Sequence, residues 1–104
     1  MITLEEELRN IVREIEKNYN PEKIILFGSL TSESVKENSD IDLVVIKSTE
    51  LDPWSRAKEV DRSISHAIPV DVLVYTPEEI EDRLKINDFF VKEILDKGIV
   101  VYER

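Results

Sequence analysis

Four short runs rich in β-branched and aliphatic side chains set the frame for this chain: Lys23–Phe27, Asp40–Ile46, Val70–Tyr75 and Ile99–Tyr102. Runs of that length and composition read as strands. Around them apolar residues recur at helical steps. Leu4, Leu8, Ile11, Val12 and Ile15 form one such stripe; Trp54, Ala57, Val60, Asp61, Ile64 and Ile68 follow roughly helical steps in a second. Ile80 with Leu84, and Phe90, Val91, Ile94 and Leu95, mark two more. The punctuation agrees. Thr3 with Glu6 is a capping box, and Tyr19-Asn20-Pro21 ends the first helix. Pro53 follows Asp52 at a first helical position, Thr76-Pro77-Glu78-Glu79 opens a short helix, and Gly98 is a favoured residue just past the last one.

The order is helix, strand, loop, strand, helix, strand, helix, helix, strand. It predicts an α/β fold with a mixed β-sheet and helices packed on it. About a dozen residues join the first two strands, enough for an antiparallel return or a tight crossover. The helix between the second and third strands suits a parallel, right-handed crossover. At 104 residues the expectation is a single domain over 1–104, burying roughly 65% of the unfolded chain's surface.

Composition removes several classes of chemistry. There is no cysteine, which excludes disulfides, thiol nucleophiles and Cys-ligated metals, and the single histidine excludes any site built from two imidazoles. No apolar run approaches the ~18 residues of a membrane span, and the start is acidic where a secretory signal would be basic. The expectation is a cytoplasmic protein. A net charge of −9 argues against a broad nucleic-acid-binding face.

Three carboxylates stand where strand physics would not place them. Asp40 and Asp42 open the second strand, and Asp71 interrupts the apolar run Ile68-Pro69-Val70-Asp71-Val72-Leu73-Val74. Buried charge is costly unless paired or metal-bound. Residues two apart share a strand face, roughly 7 Å from each other, and neither strand carries a lysine or arginine before its end. Three acids converging on one face call for a shared cation, and carboxylate oxygens suit Mg²⁺. The competing reading makes Asp40 a strand-start residue and Asp71 a charge that blunts an edge strand.

Gly28-Ser29 follows the first strand directly, where backbone N–H groups and a hydroxyl can meet an anion. Together, Phe27-Gly28-Ser29, then Ser39-Asp40-Ile41-Asp42-Leu43-Val44-Val45, and later Val70-Asp71-Val72-Leu73-Val74, resemble the signature of minimal nucleotidyltransferases of the DNA polymerase β superfamily. The ending from Gly98 to Glu103 is also similar to these small proteins. The resemblance implies a polymerase β-like mixed-sheet fold, two Mg²⁺ ions, and ATP as the usual substrate. It implies that Asp40 and Asp42 hold both metals, that Asp71 holds the catalytic metal and accepts the attacking hydroxyl's proton, and that Gly28 and Ser29 hold the β- and γ-phosphates. It further implies AMP transfer to a hydroxyl of a partner protein, with the chain acting as antitoxin to a HEPN-type toxin in a homo- or hetero-oligomer. The sequence departs from the family at Leu30-Thr31-Ser32-Glu33, where members usually carry a basic residue and a glycine. That departure keeps a second reading open, a non-catalytic module that neutralises its partner by contact.

Four aromatic or imidazole residues complete the reading. His66 is expected as a dipole-favoured histidine near a helix C-terminus. Trp54 reads as core or partly exposed. Phe89 and Phe90 lie about 100° apart on a helix, so either one ring reaches a secondary groove or a partner, or the helix has a wide buried face.

Overall fold

Thr3 starts the first helix, α1 (Leu4–Tyr19), by the expected reciprocal cap: its hydroxyl accepts from the Glu6 N–H and the Glu6 carboxylate accepts from the Thr3 N–H. Asn20 ends it in the left-handed region at φ 53° and ψ 56°, a conformation asparagine tolerates better than most residues. The fold described here is that of a computed structural model and covers residues 3–27, 41–65 and 69–104. The remaining elements are β1 (Lys23–Phe27), β2 (Ile41–Ile46), α2 (Pro53–Ser63), β3 (Val70–Tyr75), α3 (Pro77–Lys85), α4 (Phe89–Lys97) and β4 (Ile99–Glu103). Gly28, Ser29, Leu30–Glu33, Asp40, His66 and Ile68, which carried expectations above, lie outside the described residues.

The sheet is mixed, as expected, with strand order β3-β2-β1-β4. β1 and β2 are antiparallel, which decides the open choice for their connection, and β3 lies parallel to β2 after the α2 crossover. β4 returns antiparallel to β1. On one face, Ile41, Leu43 and Val45 of β2 join Ile24, Leu26 and Val74 beneath Ile11 and Ile15 of α1 and Val60 of α2. Among the described residues the other face is more thinly covered. There Ile94 of α4 packs on Ile25 and Val44, flanked by Phe27, Ile46 and Tyr75.

Two sequence expectations need correcting. In α2 the expected Val60 and Ile64 are buried, but Arg56 completes the stripe in place of Trp54 and Asp61, and the helix ends at Ser63 with Ile64 as an extended C-cap. Trp54 is 67% exposed. Gly98 does follow the last helix, but at φ −69° it is extended, so left-handed freedom is not its reason for being there. A Cβ at Gly98 would lie 2.5 Å from Ile25 Cγ2. Close approach of the α4–β4 junction to β1 is what requires glycine.

Arg56, only 6% exposed, ties three elements together. Its guanidinium donates to the Glu79 carboxylate at 2.7 Å, to the Val74 carbonyl at 3.3 Å and to the Leu51 carbonyl at 2.5 Å. Glu79 also closes the capping box of α3 by accepting from the Thr76 N–H. Partial burial raises the Glu79 pKa, but the Thr76 N–H and the Arg56 guanidinium outweigh it and hold the carboxyl below its ordinary range. That contribution to stability is therefore full above the unfolded value near pH ~4.3 and is lost as pH falls through the lower, folded value. Arg56→Met, which keeps the stem and removes the donors, is expected to cost about 1.5–3 kcal/mol in urea unfolding. It should also flatten the loss of stability on acidification below pH ~4.3.

Candidate active site

The parallel pairing of β2 and β3 sets Asp42 directly beside Asp71, and the antiparallel pairing of β1 and β2 sets Phe27 on the other side of Asp42. The three side chains form one row across the sheet, on the thinly covered face. Because strand side chains alternate, the row continues inward as Ile25, Val44 and Leu73, then Lys23, Ile46 and Tyr75. The acids therefore sit at one end of the sheet, where β1 finishes and β2 and β3 begin. Gly28 follows Phe27 in the sequence, and Asp40 precedes Ile41.

Asp42 is half-buried and Asp71 is exposed. Among the described residues β3 is an edge strand, as the competing reading of Asp71 had it; its valines alternate toward α2, while Asp71 and Leu73 emerge on the open face. Asp71 is paired with no basic side chain among the described residues. Two carboxylates side by side on one sheet face repel when both are ionised. An all-oxygen donor pair fits a hard divalent cation such as Mg²⁺. Among the described residues no group of three metal-ligating side chains occurs; the third carboxylate in the sequence reading was Asp40.

Phe90 of α4 closes the β1 side of the row, its ring meeting Phe27 edge-on at a centroid distance of 5.9 Å and an angle of 85°. Phe89, its neighbour, is 73% exposed. On the same face, burial raises the Tyr75 phenol above its ordinary range, with Arg83 opposing and Asp88 reinforcing, so it remains a neutral hydroxyl at pH 7. Along the outer edge of β3 a groove runs between Trp54, Ala57 and Lys58 of α2 and Val70, Asp71 and Val72. The groove left no trace in the sequence, and the buried Arg56 left only a slight one. A hint of the latter existed in the four-residue spacing of Arg56, Val60 and Ile64.

This sheet, with its acid row, belongs to a recognised class. The chain is a member of the polymerase beta nucleotidyltransferase family, whose model matches residues 9–104. Among solved structures, one described as a "putative nucleotidyltransferase from Sulfolobus solfataricus" aligns with a TM-score of 0.62, covering 97% of this chain and 86% of that one. The two share 22% identity, so the likeness is one of fold. Comparison with curated protein sequences finds no match. No helix among the described residues is long and apolar enough to cross a membrane.

The adjacency of the acids has a measurable consequence. In the absence of divalent metal, Asp71→Asn should leave stability unchanged or raise it by up to about 1 kcal/mol in urea unfolding, through relief of like-charge repulsion. A loss larger than that would mark Asp71 as a structural carboxylate.

Proposed function

We propose that this domain, acting as one unit over 1–104, transfers AMP from ATP to a hydroxyl group of a partner protein. The observation that carries the reading is the Asp42–Asp71 register pair on an open sheet face, in a chain of the nucleotidyltransferase family. Asp40 and Asp42 would hold two Mg²⁺ ions, with Asp71 as a further ligand to one of them. Gly28 and Ser29 hold the β- and γ-phosphates. The bound ions supply charge neutralisation, which a protein of net charge −9 needs in order to accept a triphosphate. The acceptor oxygen bonds to the α-phosphorus while the bond to the bridging oxygen of the β-phosphate breaks. Pyrophosphate leaves, and the hydroxyl proton passes to the Asp71 carboxylate. Carboxylates suffice for this displacement, so the lack of cysteine is no handicap.

The partner follows from the same family resemblance: a HEPN-type toxin, with this chain as its antitoxin, acting in the cytoplasm. The exposed ring of Phe89 at the margin of the face is a fitting anchor for it. That anchor also favours a second reading, neutralisation by contact without transfer, which the Leu30-Thr31-Ser32-Glu33 departure supports.

Incubation with α-labelled ATP, Mg²⁺ and a HEPN-type partner separates the two. Transfer labels the partner, and Asp71→Asn should slow labelling by about 10²–10⁴-fold, the usual worth of a positioned general base. The wild type should also gain thermal stability on addition of Mg²⁺ with ATP, and Asp42→Asn should lose that gain. An unlabelled but tightly bound partner would overturn transfer in favour of contact alone. In both readings Phe89→Ser should weaken partner binding about tenfold or more, and an unchanged affinity would place the interface elsewhere.

A further inference from the structure

The two edges of the sheet are not equivalent. β4, at one edge, is separated from Asp71 by β1 and β2. β3, at the other, carries Asp71 itself, and its backbone has a definite polarity. The Pro69 and Tyr75 carbonyls accept from the Ile41 and Lys47 N–H groups of the β2 side. Peptide groups alternate along a strand, so the odd-numbered residues of β3 bond to β2. The N–H and C=O groups of Val70, Val72 and Val74 therefore face the groove. At the Val74 end the edge is closed, because Arg56 donates to the Val74 carbonyl. From Val70 to Val72 no described residue pairs with it, and Trp54 and Lys58 of α2 form the opposite wall.

An open strand edge is satisfied by another strand. We infer that the groove takes an extended, hydroxyl-bearing segment of the acceptor protein as a fifth strand against β3, delivering its hydroxyl to Asp71. The inference rests on the transfer reading above and names how the acceptor docks. Three features point to this occupant. The outward groups of Val70 and Val72 match main-chain donors and acceptors, the source of affinity in strand addition. An added strand lies about 4.8 Å from β3, so it extends the row of Phe27, Asp42 and Asp71 by one position. The residue at that position points to the acidic face, beside Asp71. Finally, Asp71, which no basic side chain among the described residues pairs, stands at this end of the groove, and the whole chain is at −9. The segment is therefore basic on either side of its hydroxyl residue.

Strand addition through the backbone tolerates sequence variation, so a peptide pool can test it. The probe is a pool of nine-residue peptides, random except for a central serine flanked by two lysines. With the wild-type protein, amide exchange read by NMR should slow about tenfold or more at Val72 and also slow at Val70, leaving β4 unaffected. Val72→Pro removes a donor that the β2 ladder does not use, a substitution edge strands tolerate. It should lower kcat/KM for peptide labelling about tenfold or more, the equivalent of roughly one lost main-chain bond plus steric exclusion. ATP-dependent thermal stabilisation should be unchanged. Should Val72→Pro fail to fold, a peptide pool N-methylated at alternate residues serves instead: methylation on one bonding edge should abolish protection of Val72, and methylation on the other should not.

The outcomes separate docking from chemistry. Protection at Val72 without any labelled peptide supports docking and overturns transfer. Labelled peptide with Val72 unprotected, or with Val72→Pro as active as wild type, overturns docking and leaves transfer standing. Neither protection nor labelling overturns both.

Discussion

Everything at the acidic end of this protein depends on the register of β2. Its odd-numbered residues Ile41, Leu43 and Val45 fill the core beneath α1 and α2, while Asp42 begins the opposite, more open face. A slip of one residue would exchange the two faces. Asp42 would be driven beneath α1, and Leu43 would be expelled toward solvent. The hydrophobic face that holds the sheet together is thus also what aims the carboxylate. The same register, carried through the parallel pairing to β3, places Asp71 beside it. No special turn or strained backbone among the described residues is needed to bring two acids together from positions far apart in the chain.

β3 depends on a second device. An edge strand exposes unpaired backbone, and here Arg56 satisfies the Val74 carbonyl while bonding to Glu79. Glu79 in turn caps α3 through Thr76. The cost of desolvating a guanidinium is met by three acceptors, two of them backbone carbonyls. The network holds α2, β3 and the start of α3 in fixed relation, and closes one end of the groove while leaving the Asp71 end accessible.

The fold was largely legible in the sequence because strand composition, helical spacing and capping residues all agreed. β1 and β3 have the bounds their apolar runs suggested, the Thr3–Glu6 capping box is present, and α3 opens at Thr76. α2 was harder to read, for a definite reason. Val60 and Ile64 were legible as core positions, but Arg56 looks like a surface residue, so hydrophobicity alone leaves it off the buried stripe. Burial of an arginine depends on acceptors contributed by Leu51, Val74 and Glu79, which are distant in sequence or hidden in the backbone. Asp71 was recognisable as anomalous, but its exposure follows from β3 lying at an edge, a property of strand order rather than of the local run. Of the candidate site, the adjacency of Asp42 and Asp71 became visible only through inter-strand register. Asp40, Gly28 and Ser29 rest on the spacing of the motif.

The uneven cover of the sheet has a further meaning. Among the described residues one face carries α1 and α2 over a continuous apolar core; the other carries mainly α4, set over β1, leaving Leu73 and Asp71 open. Cohesion is thus concentrated on one side, and recognition chemistry on the other. Substitutions along the open face disturb few packed neighbours, so this surface can diversify while the scaffold beneath it stays intact. A domain arranged in this way can acquire new specificities by drift at Leu73, Phe89 or the β3 edge, without first having to gain stability to tolerate them.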